Sequence, residues 1–362
     1  MSAPRAIVVG GGIYGWGCAL RLAQLGASVT VVDPRATDDS ERASGGVTRM
    51  LRLEYGSAAV YSELTLRARA AWRRIEQLTG ADLYREVGVL FLVPDGDDGS
   101  WERASLAALV ALGVAGRQLD ADEVVRTWPS IRPEGIAWGL ANPIGGLLWA
   151  HRATRAVAGL ARSAGVRFVR EHVVAADGTG AALAGGHRLA ADIVVLATGS
   201  WSQALIPDIA IRPTRQVTAY LAGGPADVPV FGDGAPFAMY GIPAHDGLGM
   251  KIGSHVTGPQ ADPDDPAARI ATEDDLAPIQ AYAARRFGVT GTEARIVRAD
   301  VCFYAMTPTE DPVIDRLADG RIVCAGFSGH GFKFAPVLAP AVAELALGRE
   351  PSVDLGSFGL RS

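Results

Sequence analysis

The stretch Ala6–Gly17, AIVVGGGIYGWG, decides how the rest of the chain is read. Its first residues form a short apolar run, the pattern of a parallel strand covered on both faces. A glycine turn follows, and IYGWGCALRLAQLG then carries a helical pattern that stops at Gly26. The run SVTVVDP reads as a second strand ending at Asp33. Strand, turn, helix and strand make a βαβ unit, which opens a doubly wound α/β domain. Within the turn, Gly10, Gly12 and Gly15 have the spacing G-x-G-x-x-G. The first glycine permits the tight turn, the second lets the backbone approach a pyrophosphate, and the third lets helix and strand pack closely. The helix N-terminus offers free N–H groups and a partial positive charge to the phosphates. Asp33 lies about twenty residues on, where an acid holds a ribose hydroxyl. A bare glycine pattern is weak evidence, but strand, helix and acid together point to a dinucleotide site.

Parallel βα patterns recur in the middle of the chain, at ADIVVLATGSWS, and at its end, at RIVCAGFSGHGFKFAPVLAPAVAELALG. Between them, 59–79 and 273–287 read as helices, and 212–256 as short strands separated by Gly/Pro turns, which suits an antiparallel sheet. The expected organisation is one nucleotide domain built from residues 1–82, 146–212 and 306–362. A second, α+β domain with a mixed or antiparallel sheet is inserted as residues 83–145 and 213–305. The segment 258–268, GPQADPDDPAA, reads as a solvated loop.

The 362 residues are enough for two domains, and the 49 % apolar and 20 % charged content is that of a globular protein. A net charge of −5 argues against nucleic acid or an anionic membrane surface as the main partner. No apolar run reaches the roughly 18 residues needed to span a bilayer. The N-terminal segment runs straight into a strand without an export signal, so a cytoplasmic location is expected. Three cysteines, Cys18, Cys302 and Cys324, make neither a disulfide framework nor a metal-site spacing, and no metal is expected.

The choice between FAD and NAD falls to FAD. The glycine unit stands near the start, and a later strand ends in Ala197-Thr198-Gly199, as in FAD domains resembling glutathione reductase. The GFSGHGFKF turn adds a second helix start for an anionic ring. Four segments then add up to a family resemblance: GGVTRMLRLEYG (45–56), GMKIGSH (249–255), VCFYAMTPTEDPVID (301–315) and AGFSGHGFKF (325–334). Together, and over nearly the whole chain, they are similar to monomeric sarcosine oxidase and its relatives, FAD-dependent amine oxidases of the D-amino acid oxidase superfamily. The resemblance implies hydride transfer from the carbon next to an amine to flavin N5. An imine and hydrogen peroxide are the products, and the expected substrate is a secondary, N-methylated or cyclic amino acid.

The resemblance also implies roles for individual residues. Of the 34 lysines and arginines only two are lysine, Lys251 and Lys333, and both fall on matched positions. Lys251 corresponds to the lysine that activates oxygen beside the flavin, where a compact cation on a flexible stem meets developing negative charge. Lys333 and Arg52 correspond to the pair that binds the substrate carboxylate, and Arg49 to the arginine near the flavin. Cys302 matches the cysteine that carries the flavin through a thioether; the competing reading is a buried strand cysteine. Tyr240, Tyr304 and His255 match pocket positions. Gly329, His330 and Gly331 match the turn near the flavin. Two departures stand out: Ser44-Gly45-Gly46-Val47 replaces a segment that often carries histidines, and Ile242 stands where an aromatic is common. The alternatives are a dehydrogenase of an amine or hydroxy acid that uses another electron acceptor, and a noncatalytic flavoprotein. A monomer is expected, with a small amine and O2 as partners.

Overall fold

The computed structural model describes residues 3–37, 39, 41–234 and 237–360. The opening run becomes the strand Arg5–Val9, near the middle of a six-stranded sheet. Ser28–Val32 and Arg167–Val169 lie on one side of it; Ile193–Leu196, Ile322–Ala325 and Val313–Arg316 lie on the other. Neighbours run parallel except the last pair. The continuous apolar run has a two-sided cause. Ala6 and Val8 pack into a core shared with the helices Ile13–Gln24, Ala150–Ser163 and Ala335–Ala346. Ile7 and Val9 point the other way, into a core with the three-stranded antiparallel sheet Val173–Asp177, Gly180–Leu183 and Arg188–Ala190. Gly10 turns the chain with φ +103°. A Cβ on it would overlap the Ala197 carbonyl, and one on Gly15 would overlap the Gly10 carbonyl. Both glycines are therefore fixed by close backbone approach.

The second large unit is an eight-stranded sheet in the order Ile296–Met306, Arg212–Leu221, Met250–Ser254, Met239–Ile242, Val230–Asp233, Val89–Pro94, Ile136–Asn142 and Arg117–Asp120. All pairs are antiparallel except Val230–Asp233 with Val89–Pro94. The helix Glu273–Phe287 covers one face through Ile279, Tyr282 and Ala283, which pack with Ala219, Leu221 and Ile252.

Residues directly opposite one another in antiparallel pairs share a face. One rung crosses most of this sheet, in the order Leu140, Phe91, Gly232, Tyr240, Gly253, Thr218 and Asp300. Two of its members are glycine because aromatic rings lie over them. A Cβ on Gly232 would overlap the Phe91 ring, and one on Gly253 would stand 2.9 Å from the Tyr240 hydroxyl. A small antiparallel sheet, Thr48–Leu51, Gly146–Trp149 and Tyr84–Glu86, joins the same face. Its Val47, Leu147 and Trp149 neighbourhood forms a core with Tyr220, Val230 and Ile242.

Candidate functional site

A cleft of about 920 Å³ is lined from both large sheets. Gly10, Gly12, Asp33, Thr198 and Gly199 lie at its nucleotide-sheet end. Arg49 and Arg52 come from the Thr48–Leu51 strand and the residue after it. The eight-stranded sheet contributes Tyr240, Lys251, Cys302 and Tyr304, with His255 just beyond the Met250–Ser254 strand. Gly329, His330, Gly331 and Lys333 come from the turn before the last helix. Of the residues singled out from sequence, only Gly15 stays behind the lining, where it packs strand against helix.

At the nucleotide end the Asp33 carboxylate is already well supplied with donors. It accepts from the backbone N–H groups of Gly11 (2.6 Å) and Arg35 (2.8 Å), and from Arg42 Nη1 (2.5 Å) and Nη2 (3.0 Å). Arg42 also donates to the carbonyls of Ala36 and Arg35, and it is 5 % exposed. Burial lowers its pKa, and the facing Asp33 partly offsets this. Beside this pair, Gly12 caps the Ile13–Gln24 helix, and a Cβ there would meet only Ser44 Oγ, at 3.2 Å. An open glycine edge beside a helix N-terminus fits the phosphates of a dinucleotide such as FAD. The rim is polar and aromatic: the Arg35 guanidinium lies 4.1 Å from the Trp201 ring centroid, and Trp201 Nε1 donates to Asp264.

In the middle of the cleft, Lys251 is 5 % exposed and donates to the Thr48 carbonyl at 3.1 Å. Burial, followed by the Arg49 charge, lowers its pKa to about 7. Arg49 donates to the carbonyls of Thr48, Ala43 and Gly45, which fixes the loop that precedes its strand. Cys302 faces the same space. Burial pushes its thiol up, and Arg49 and Lys251 pull it back. Tyr220 borders Lys251, with the ammonium 5.7 Å from the ring centroid and the phenol oxygen 3.2 Å from Thr48 Oγ1.

At the far end two cations meet one tyrosine. Lys333 Nζ donates to Tyr55 Oη at 2.5 Å and to the His330 carbonyl at 2.9 Å. The Arg52 guanidinium lies 4.3 Å from the centroid of the same Tyr55 ring and donates to the Glu54 carbonyl. Burial and the Arg52 charge drive Lys333 well below its ordinary pKa, and Glu54 opposes them. Glu54 is fully buried, held by Asn142 and the Leu53 N–H. His330 packs edge-on to Tyr61 and Phe334, with Nε2 facing the Glu310 carbonyl. Burial and Lys333 lower its pKa to about 3. His255 lines the cleft, and burial, followed by the charges of Arg52 and Lys333, lowers its pKa to about 4. Both imidazoles are therefore neutral at ordinary pH. Burial pushes the Tyr240 phenol up to about 12 and Tyr304 well above its usual value. A Cβ on Gly329 would overlap the Tyr304 ring, so that glycine makes room for the aromatic wall.

Several lining residues escaped sequence reasoning. Asp300 lies on the same strand and face as Cys302 and Tyr304, and period-two spacing is the signal that would have found it. Phe91 and Trp101, with ring centroids 5.1 Å apart, line the cleft near Arg52. Tyr55 lies within the segment 45–56 but was given no role there. The Thr48 carbonyl has no sequence signal, because every residue carries one. Among the described residues no group of three or more His, Cys, Asp or Glu is placed to hold a metal ion. None of their helices is long and apolar enough to cross a membrane.

Residues 5–345 match the DAO family of FAD dependent oxidoreductases, and the chain belongs to that family. It is 31 % identical to an N-methyl-L-tryptophan oxidase from Citrobacter koseri, over 98 % of this chain and 97 % of that protein. It is 28 % identical to a monomeric sarcosine oxidase from Bacillus sp. (strain B-0618), over 98 % and 95 % respectively. Among solved structures, L-proline dehydrogenase from P. horikoshii superposes with a TM-score of 0.85 at 22 % identity, covering 99 % of this chain and 97 % of the other. These matches support the expected fold class, a glutathione reductase-type FAD-binding Rossmann domain with an inserted mixed-sheet domain.

Arg42→Ala should destabilise the purified flavoprotein by about 3 kcal/mol, because it strands a buried carboxylate. Arg42→Lys should recover only part of that. Urea unfolding measures both, and an unchanged midpoint in Arg42→Ala would show that the pair contributes nothing.

Proposed function

We propose that this chain is an FAD-dependent oxidase of a secondary, N-methylated or cyclic amino acid. The observation that carries the reading is the convergence of Arg52 and Lys333 on Tyr55 in one cleft with buried Lys251. Two cations around one neutral ring, with one buried acid nearby, make a seat for a carboxylate. Docking that anion restores the charge that burial takes from Lys333. Neutral His255, Tyr240 and Tyr304 then surround the amine end without adding a competing charge.

Bound FAD supplies the acceptor for the hydride equivalent leaving the carbon next to the amine. The imine left behind is hydrolysed by water. The Gly10–Gly12 edge and the following helix N-terminus would hold the pyrophosphate, and Asp33 a ribose hydroxyl. Thr198, Gly199, Arg49 and the Gly329–Gly331 turn would border the rest of the cofactor. Cys302 would hold the flavin through a thioether; burial disfavours its thiolate, and Arg49 and Lys251 oppose that. Lys251 stabilises negative charge developing on O2, whose two-electron reduction gives hydrogen peroxide. The similarity to a sarcosine oxidase and an N-methyl-L-tryptophan oxidase favours an N-substituted amino acid over a primary one.

A screen of N-methyl and cyclic amino acids for peroxide release tests the activity. Amine-dependent bleaching without peroxide, but with reduction of an artificial dye, would instead assign a dehydrogenase. Arg52→Ala and Lys333→Ala should each weaken carboxylate substrates about ten- to hundredfold, or roughly 1.5–3 kcal/mol, relative to the matching uncharged amines. Equal losses on both substrate types would show that neither side chain holds the carboxylate. Lys251→Met should slow reoxidation of reduced enzyme by oxygen about 10²–10³-fold while leaving reduction by substrate much less affected; an unchanged reoxidation rate in stopped flow removes this role. The yellow colour should stay with acid-precipitated wild type and leave Cys302→Ala. Complete release from wild type would rule out covalent attachment.

A further inference from the structure

Lys251 is a buried ammonium with no ion-pair partner within 4 Å among the described residues, and its only hydrogen bond goes to a backbone carbonyl. The charged groups around it come mostly from two strands. Arg49 and the Thr48 carbonyl face it from the Thr48–Leu51 strand; Arg298, Asp300 and Cys302 face it from the Ile296–Met306 strand. Tyr220 lies between, opposite both Lys251 and Arg298. Ile242 stands opposite on the remaining neighbour, and the Glu273–Phe287 helix packs on the other face of the sheet. Asp300 is the one carboxylate in this set. Its Oδ1 accepts from Arg298 at 2.6 Å, whereas its buried Oδ2 has no hydrogen-bond partner. Both Asp300 and Gly46 line the cleft, and that free oxygen lies on the side of Gly46. An atom in the Cβ position of Gly46 would stand 3.6 Å from it and 3.2 Å from Arg49 Nη1. The absence of a side chain at Gly46 thus leaves Asp300 and Arg49 facing a common space.

We propose that Asp300 is a positioning residue for Lys251: its inward carboxylate oxygen is the counter-charge that keeps the buried ammonium protonated beside Arg49. The physical need is plain. Two cations in one dehydrated site repel, and the lysine, unlike the arginine, can relieve the repulsion by losing its proton. An acid one rung away on the same face opposes that loss. Arg298 moderates the acid from the solvent side, with its side chain 41 % exposed. The proposal rests on the reading of Lys251 as the oxygen-activating group for its consequence, but not for its test.

The test uses the rarity of lysine. With only two lysines, holoenzyme labelled with [ζ-15N]lysine gives two side-chain signals, and Lys333→Met assigns them. In wild type the Lys251 signal should titrate near neutrality. Asp300→Asn should lower its midpoint by about one pH unit or more. Asp300→Glu should restore it, and Arg298→Ala should raise it. The reoxidation rate, which falls as pH rises through that midpoint, should move with it, while reduction by substrate stays put. An unmoved Lys251 midpoint in flavin-loaded Asp300→Asn overturns the proposal. If Asp300→Asn does not load flavin, the Arg298→Ala arm decides, and a midpoint that does not rise there overturns it equally. Reoxidation that ignores Lys251→Met removes the oxygen role alone, because the NMR midpoint is measured without turnover.

Discussion

The register of the Arg212–Leu221 strand is the constraint on which the site depends. That strand pairs with Met250–Ser254 on one side and Ile296–Met306 on the other. Because opposite residues share a face, fixing Tyr220 against both Lys251 and Arg298 places the ammonium, Asp300, Cys302 and Tyr304 on one surface. A one-residue slip on either side would turn the lysine, or the acid and the thiol, into the packed core under the Glu273–Phe287 helix. The apolar residues at alternate positions, Ala219, Leu221 and Ile252, oppose such a slip because they are buried in that core.

Charge in this cleft is unevenly supplied. Arg49, Arg52, Lys251 and Lys333 all line it. The arginines spend their donors on backbone carbonyls. The lysines are the groups that burial can neutralise. Each has a single acid among the groups that act on it from nearby: Glu54 for Lys333, and Asp300 for Lys251 once the Cys302 thiol is set aside. A chain with 32 arginines and two lysines has thus placed both lysines where a bound anion, or negative charge formed in a reaction, returns their protons.

The aromatic parts of the cleft obey a different rule. Phe91 lies over Gly232, Tyr240 over Gly253, and Tyr304 against Gly329. Each ring takes the space that a neighbouring side chain would need, so the glycines are as much a part of the wall as the rings. Ile242, opposite Lys251, leaves the wall thinner on that side. Trp101 and Phe91 thicken it around Arg52.

The sequence by itself determined the strand–turn–helix opening, because burial on both faces demands a continuous apolar run and backbone contact demands Gly10 and Gly15. It also marked the helices 59–79 and 273–287, whose periodicity and caps are local. Most of the candidate site was legible through the family resemblance, which matched Cys302, Tyr304 and the rest to known positions, and the scarcity of lysine singled out Lys251 and Lys333. What it did not show were partners defined by pairing across the chain. Arg42 was an arginine in a polar stretch until folding brought it onto Asp33. Asp300 was a surface-type acid until register placed it on the sheet face that carries Lys251. The Thr48 carbonyl is common to every residue type. Long-range register and burial decided these, because they depend on which strands meet and in what alignment, and no local pattern of residues encodes that.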